Sequence, residues 1–547
     1  MTFSSASSPA NPPRRFNRIV SNPALEDYAL RYAPRSFRRW SIYAVATAAL
    51  GGIAYLADYA IGGSIAISFG FANSFWAILA AAAIIFLTGI PIAYHSARNS
   101  IDMDLLTRGA GFGYLGSTLT SLIYASFTFI YFSLEGSVMA QALGLYTGLP
   151  LAICYLIAAL AIIPLTVYGM TFLNKFQAWT QPIWLILLFA PVIAIVLHDP
   201  ASVGAWTRFS GRAPGPGFDP LRFGLATGVV LSLIAQIGEQ VDYLRFMPDL
   251  TRANARRWWI AVLLAGPGWV LLGAVKQLFG SFLASWIAPA VGLVKADQPI
   301  EMAVRAFGEI FANPFLALTV AVGFVTLSQL KINVTNAYSG SLSWSNFFSR
   351  IFHTHPGRVV WLLLNVAIAL ALMELGVFGF LNTVLGFYSN VAVAWIGAVA
   401  ADLVIVKPLL GVGPRHIEFK RAHLHAINPV GFGAMVIASA LSIVAFFGAF
   451  GPWLQAFSPL LSLFLAFTLV PVIALLTRGK YYLARQPRTL QPAIPAGQAT
   501  SVAYVPCISC EHHYEQEDMA DCTFHRAPIC SLCCSLEKAC NDICKAS

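Results

Sequence analysis

The chain has 547 residues, of which 58% are hydrophobic and only 11% charged. A soluble domain carries about 25% charged residues, so this balance excludes a disordered chain, an ordinary cytosolic enzyme and a nucleic-acid binder. With a mean hydropathy of +0.69, most of the chain belongs in lipid. At about 20 apolar residues per membrane helix it has room for a dozen spans. The formal net charge of +10, from 34 Lys and Arg against 24 Asp and Glu, fits the basic flanks that hold such helices in place.

The segment from Met1 to about Arg39 is polar and rich in Ser, Pro and Arg. It lacks a charged, then apolar, then small-residue cleavage pattern, so no signal peptide is read. Apolar runs then predict helices near 40–69, 74–95, 116–146, 150–170, 175–198, 221–244, 258–280, 314–340, 358–378, 383–406, 430–450 and 453–476. The mixed stretch 281–312 has room for a short surface helix. The expected organisation is an N-terminal tail (1–39), a permease domain (40–476), a linker (477–506) and a Cys-rich tail (507–547). The fold class is an all-α polytopic membrane protein with twelve transmembrane helices. Basic residues recur at every second loop, among them Arg98, Arg108, Lys175, Arg245, Arg252, Arg350, Lys407, Lys420 and Arg421. By the positive-inside rule both termini are then cytoplasmic. Arg208, Arg212 and Arg222 depart from the pattern but lie in a longer outer loop.

Two spans look interrupted. The first holds Gly51-Gly52 and Gly62-Gly63 around Tyr55, Asp58 and Tyr59; the sixth holds Gly228 and Gly238 with Gln236, Glu239 and Gln240. Broken helices at matching positions of two halves point to a transporter site at mid-membrane. This spacing suggests a five-plus-five inverted repeat with helices 1 and 6 broken. Close packing by glycine is the competing reading.

Charges inside a bilayer cost about 2.5–3.5 kcal/mol each on insertion scales, and Asp58, Glu135, Glu239 and Lys331 stand well inside predicted spans. Tyr131 and Glu135 are four apart and share a helix face. A ring beside a carboxylate suits a flat ligand that stacks and donates N–H bonds. Alternatively Glu135 pairs with Lys331 as structural glue. The eighth span, Leu327 to Gly340, is too polar to face lipid. Its Lys331 can carry a proton through a transport cycle, act as a fixed cation, or form a structural salt bridge to Asp58, Glu135 or Glu239.

The sixth span ends on Asp242-Tyr243-Leu244-Arg245. This resembles the Asp-aromatic-x-Arg signature of nucleobase:cation symporters of the cytosine permease and hydantoin permease type. Tyr131 and Glu135 resemble that family's Trp-x-x-x-Gln substrate pattern, and Asn336-Ala337-Tyr338-Ser339-Gly340 its eighth-helix stretch. The resemblance covers about residues 30–480. It implies the five-plus-five fold and ion-coupled uptake of a purine, pyrimidine or related ring by alternating access. Three departures matter. Leu233 replaces the sixth-helix Trp that would sandwich the ring. Glu135 carries a charge where the family has an amide. Lys331 stands where relatives offer sodium a small hydroxyl residue, and a fixed ammonium there would repel sodium, which implies sodium-independent transport or none.

The tail carries Cys507, Cys510, Cys522, Cys530, Cys533, Cys534, Cys540 and Cys544, with His512, His513 and His525 among them. Cys-x-x-Cys pairs can close tetrahedral zinc sites, and a cytoplasmic location disfavours disulfides. Eight thiols suit two zinc ions or an iron–sulfur cluster; a redox-sensitive or poorly ordered tail is the other reading. The tail also resembles Cys-rich segments that follow permease-like domains in some bacterial sensor histidine kinases, but no kinase-like segment follows here.

The sequence therefore leads to a secondary transporter of the bacterial cytoplasmic membrane, proton-coupled or sodium-independent, that takes up a small nitrogenous ring compound. Asp58, Tyr131, Glu135, Gln236, Glu239 and Asn336 are expected to line the site and Lys331 to couple the ion. Transport itself is expected to need no cofactor. The alternative is a permease-fold sensor that signals to a partner kinase through its Cys-rich tail. No nucleophile–base pair or phosphate loop suggests an enzyme.

Overall fold

In a bilayer every backbone polar group must be satisfied within the protein, which leaves helices as the answer for long apolar segments. A computed structural model describes residues 27–487 and 504–545, together with 14–16, 19, 20, 22 and 25. Among the described residues, eight helices are long and apolar enough to cross a membrane, or nine when one bent pair counts as a single span. Two shorter apolar helices, Leu151–Val167 and Gly431–Phe446, and Arg358–Glu374 occupy the fourth, eleventh and ninth expected positions. Each of the twelve expected segments thus has a helical counterpart.

Span 1 is the bent pair. Ile42–Gly51 leads into a 3₁₀ turn, Gly52–Ala54, and the second half Ala57–Phe69 leaves at 44°. Span 6 runs Pro220–Leu231, a 3₁₀ turn Ser232–Ala235, then Gln236–Leu244. Span 1 is thus bent and span 6 passes through a 3₁₀ turn without a comparable bend, so the irregular backbone falls in the two expected spans but not at every expected glycine. Gly62 and Gly63 lie within an unbroken helix. A Cβ on Gly62 would sit 1.9 Å from the Gln277 carbonyl oxygen, and one on Gly280 would sit 2.3 Å from that of Tyr59. These glycines let span 1 and span 7 (Trp269–Val291) meet backbone to backbone, as small residues do between membrane helices.

Span 7 continues to Val291, and the expected surface helix is Pro299–Gly308. Span 8 is longer than its polar core suggested: Pro314–Phe352 has 39 residues. At 1.5 Å per residue it is about 58 Å long, well beyond the ~30 Å hydrocarbon core. Its polar middle, Gln329 to Asn346, is buried against span 3 (Ser117–Thr147) rather than lipid.

The tail is not helical throughout. β1 (Tyr504–Pro506) pairs antiparallel with β2 (His513–Glu515), and β3 (Met519–Cys522) with β4 (Ala527–Cys530). The helix Ser531–Leu536 follows. The module thus begins at Tyr504, inside the stretch expected to be linker, because β1 is the partner that β2 needs. It docks on basic loops of the helical domain. Arg421 donates to the carbonyls of Cys534 (3.0 Å) and Glu537 (2.7 Å) and pairs with Asp542 at 2.9 Å. Arg14 donates to the Cys533 carbonyl at 2.9 Å, and Tyr32 to Glu515 at 2.8 Å. These contacts place the N-terminal segment, the loop between spans 10 and 11, and the tail on one side.

Candidate functional site

Span 3 carries Tyr131 and Glu135 one turn apart, and both are buried. Each reaches a different helix break. The Tyr131 hydroxyl lies 2.8 Å from Ser232 Oγ in the break of span 6. The Glu135 carboxylate accepts the backbone N–H of Leu56 (3.3 Å) and Ala57 (3.1 Å), where the second half of span 1 begins. A new helix exposes unpaired N–H groups and a partial positive charge at its start. The carboxylate satisfies both, so the break of span 1 has an acidic partner built into span 3. Phe127 lies 4.5 Å from the Tyr131 ring, centroid to centroid, and extends the aromatic wall. Leu233, in the break of span 6, is buried and offers no ring.

Asp58 does not meet Lys331. It forms a fully buried ion pair with Lys276 of span 7 at 2.8 Å, and Gln277 donates to its other oxygen at 2.7 Å. Lys276 Nζ also donates to the carbonyls of Ile53 (2.6 Å) and Tyr55 (2.9 Å) and lies 3.7 Å from the Tyr55 ring centroid. Sequence reasoning passed over this lysine. The signal was available: Lys276-Gln277 interrupts an apolar run just as Lys331 does.

Lys331 points to span 5 (Gly169–His198), donating to the Gln177 carbonyl (3.2 Å) and Thr180 Oγ1 (2.8 Å). Gln177 in turn donates to the Lys331 carbonyl at 2.8 Å. The expected salt-bridge partners are thus replaced by neutral oxygens. In span 6, Gln236 donates to Glu239 at 2.7 Å. Glu239 Oε1 and Asn336 Oδ1 are buried without a hydrogen-bond partner, although Asn336 donates to Asn333 at 3.0 Å. Unmet acceptors of this kind are costly in a protein interior.

Two further features frame these residues. The Asp242 and Arg245 of the sixth-span motif each reach another span instead of one another. Tyr124 of span 3 donates to Asp242 at 2.8 Å. Arg245 pairs with Asp102 at 3.0 Å and donates to the Tyr338 hydroxyl of span 8 at 2.9 Å. Arg245 also donates to the Tyr28 carbonyl at 3.3 Å, so these contacts lie on the side on which the tail docks. Toward the opposite side, a cavity of about 260 Å³ is lined by Ser64, Ser68, Arg212, Asp297 and Asn382. It ends on Ser64, under two helical turns from Asp58.

In the tail, the Sγ atoms of Cys507, Cys510, Cys530 and Cys533 lie within 4.8 Å of one another, and all four residues are buried. The N–H of Cys530 donates to Cys507 Sγ (3.3 Å) and that of Cys533 to Cys530 Sγ (3.4 Å). Four converging sulfurs supported by backbone donors fit a tetrahedral metal ion. The remaining expected ligands, Cys522, Cys534, Cys540 and Cys544, line a separate small cavity against Ala422.

No family model and no curated protein matches the chain. Solved structures do. Mhp1, a nucleobase-cation-symport-1 family transporter, in a closed conformation with bromovinylhydantoin bound, matches with a TM-score of 0.62 at 18% identity, over 84% of this chain and 100% of that one. Inward-facing Mhp1 matches with a TM-score of 0.60 at 19% identity, over 86% and 95%. A Na⁺-coupled sialic acid symporter, substrate-bound and outward-open, gives 0.50 at 13% identity, over 81% and 91%. The helical domain of this chain therefore has the fold of Mhp1, a nucleobase-cation-symport-1 family transporter.

Proposed function

We propose that the protein is a secondary transporter for a small nitrogenous ring compound of the purine, pyrimidine or hydantoin kind, working by alternating access. One observation carries this reading: Tyr131 and Glu135, a turn apart on span 3, contact the breaks of span 6 and span 1 respectively. A ligand held there would feel both mobile halves of the fold. The Tyr131 ring offers a stacking face. Glu239 Oε1 and Asn336 Oδ1 offer acceptors to ring N–H groups, with Asp58 and Gln236 completing the polar wall. Lys331, held by neutral oxygens, is free of a carboxylate's pull and serves as the proton carrier. The protein resides in the bacterial cytoplasmic membrane with both termini cytoplasmic, as its basic loops suggest.

Uptake of radiolabelled uracil, cytosine, hypoxanthine and hydantoin into liposomes containing the purified protein tests the proposal. Uptake of at least one compound, lost at least tenfold in Tyr131→Ala, is expected. Absence of uptake of all four, or a Tyr131→Ala variant as active as wild type, would overturn it.

In the tail, Cys507, Cys510, Cys530 and Cys533 would hold a zinc ion, which would supply folding energy to a module too small to build a core. The docking of this module on the N-terminal segment and on Arg421 favours a second reading, in which the tail reports the state of the helices to a signalling partner. Deleting residues beyond 500 separates the two. Transport survives in the first case; partner recruitment is lost in the second.

A further inference from the structure

A broken membrane helix presents two opposite electrical ends. The first half ends in carbonyl oxygens with partial negative charge, and the second half begins with N–H groups of partial positive charge. In transporters built this way, unwound carbonyls coordinate the coupling cation and the half-helix N-terminus faces an anionic group of the substrate. Here both ends are already met by side chains of the protein. Lys276 Nζ is held by the Ile53 carbonyl at 2.6 Å, the Tyr55 carbonyl at 2.9 Å and Asp58 at 2.8 Å, with the Tyr55 ring against it. Glu135 accepts the N–H groups of Leu56 and Ala57. Lys276, Asp58 and Glu135 are all fully buried.

We infer that Lys276 and Glu135 act as the resident cation and anion of the span 1 break, so that the cycle needs no inorganic cation and the ligand bears no carboxylate. Three oxygens that would otherwise invite a hard cation surround an ammonium that cannot leave. It is carried by span 7, which the glycine contacts of Gly62 and Gly280 lock against span 1. A carboxylate-bearing ligand would have to displace Glu135 from the N–H groups of Leu56 and Ala57 that it satisfies. A neutral ring with N–H donors meets Glu239 Oε1 and Asn336 Oδ1 instead. The inference deepens the transporter reading and depends on it for the ligand, but not for the cation.

The cation arm needs no substrate. Thermal unfolding of the detergent-solubilised full chain is followed in sodium chloride and in choline chloride of equal ionic strength. Wild type is expected to melt at the same temperature in both. Lys276→Ala, which empties the cage but leaves Asp58, is expected to be stabilised by sodium or by methylammonium ions. Should Lys276→Ala not fold in choline chloride, sodium or methylammonium ions are expected to restore its cooperative melt, and failure of both to do so overturns the inference. A sodium-dependent rise in the wild-type melting temperature overturns the inference, as does a folded Lys276→Ala that responds to neither ion. The ligand arm compares binding of uracil with 6-carboxyuracil. Preference for the uncharged ring by at least tenfold is expected, and equal or tighter binding of the carboxylated ring overturns the anion half. If no ring compound binds at all, the transporter reading fails while the sodium result still stands.

Discussion

Replacing Glu135 removes the acceptor on which the second half of span 1 starts. In Glu135→Ala the N–H groups of Leu56 and Ala57 lose their partner at a site with no access to water. Each buried donor left unmet costs about 1–3 kcal/mol. Loss of a carboxylate at a partly buried helix N-terminus adds up to about 2 kcal/mol. The total is roughly 3–6 kcal/mol, allowing for partial relaxation of the break. Glu135→Gln keeps one carbonyl oxygen for Ala57 but turns an amide donor toward Leu56, so it should cost about 1–3 kcal/mol. Intrinsic tryptophan fluorescence during denaturant titration in detergent micelles reads both values. The order expected is wild type, then Gln, then Ala. An Ala variant within about 0.5 kcal/mol of wild type would refute the cap, and with it the idea that span 3 holds the span 1 break.

Three other expectations follow from the same kind of accounting. Asp102→Asn should destabilise by about 3–5 kcal/mol, because Arg245 is then a buried charge without its partner; adding Arg245→Met should recover most of that loss, and failure to recover would show that the unpaired charge is not the cause. Glu418 lies outside the membrane, buried in the loop between spans 10 and 11. Burial alone would raise its pKa, but the hydrogen bond with His423, the charges of Lys420 and His423 and the Lys420 N–H outweigh it and hold the carboxyl at about 2. A depressed pKa stabilises above the ordinary carboxylate range and is lost as pH falls through the folded value. Pepsin cleavage of residues 411–430 should therefore rise between about pH 4.5 and 2, and Glu418→Gln should be cut already at pH 4.5. Elemental analysis of the purified chain should find zinc, and Cys507→Ser or Cys530→Ser should lower it by at least one ion per chain; a metal-free wild type of native stability would refute the four-sulfur site.

The positions of the spans were legible because hydropathy acts along the chain, one segment at a time. Asp58, Glu135, Glu239 and Lys331 stood out for the same reason, since a charge in an apolar run is visible without knowing its neighbours. Their partners were not legible. A salt bridge from Lys331 to Asp58, Glu135 or Glu239 is one of the readings its position allows, yet its amine bonds the Gln177 carbonyl and Thr180. The ammonium beside Asp58 belongs to Lys276 of span 7, more than two hundred residues away in the chain. Gly62 and Gly63 admit a hinge or a packing contact on sequence alone, and the structure makes them packing contacts, Gly62 with Gln277 of span 7 and Gly63 with Met302 and Ala284. A missing Cβ permits either use, and only the neighbour decides which.

By itself the sequence determined that the chain lives in a bilayer, where its helices lie, which two of them carry irregular backbone, and that a cysteine cluster follows them. It did so through composition and local hydrophobic runs. Tertiary structure decided which charges meet, which glycines bend and which pack, and which four of the eight tail cysteines converge. Those outcomes depend on the register between helices far apart in sequence. In lipid that register is chosen by shape and hydrogen bonding between side chains, not by apolarity, which all the helices share.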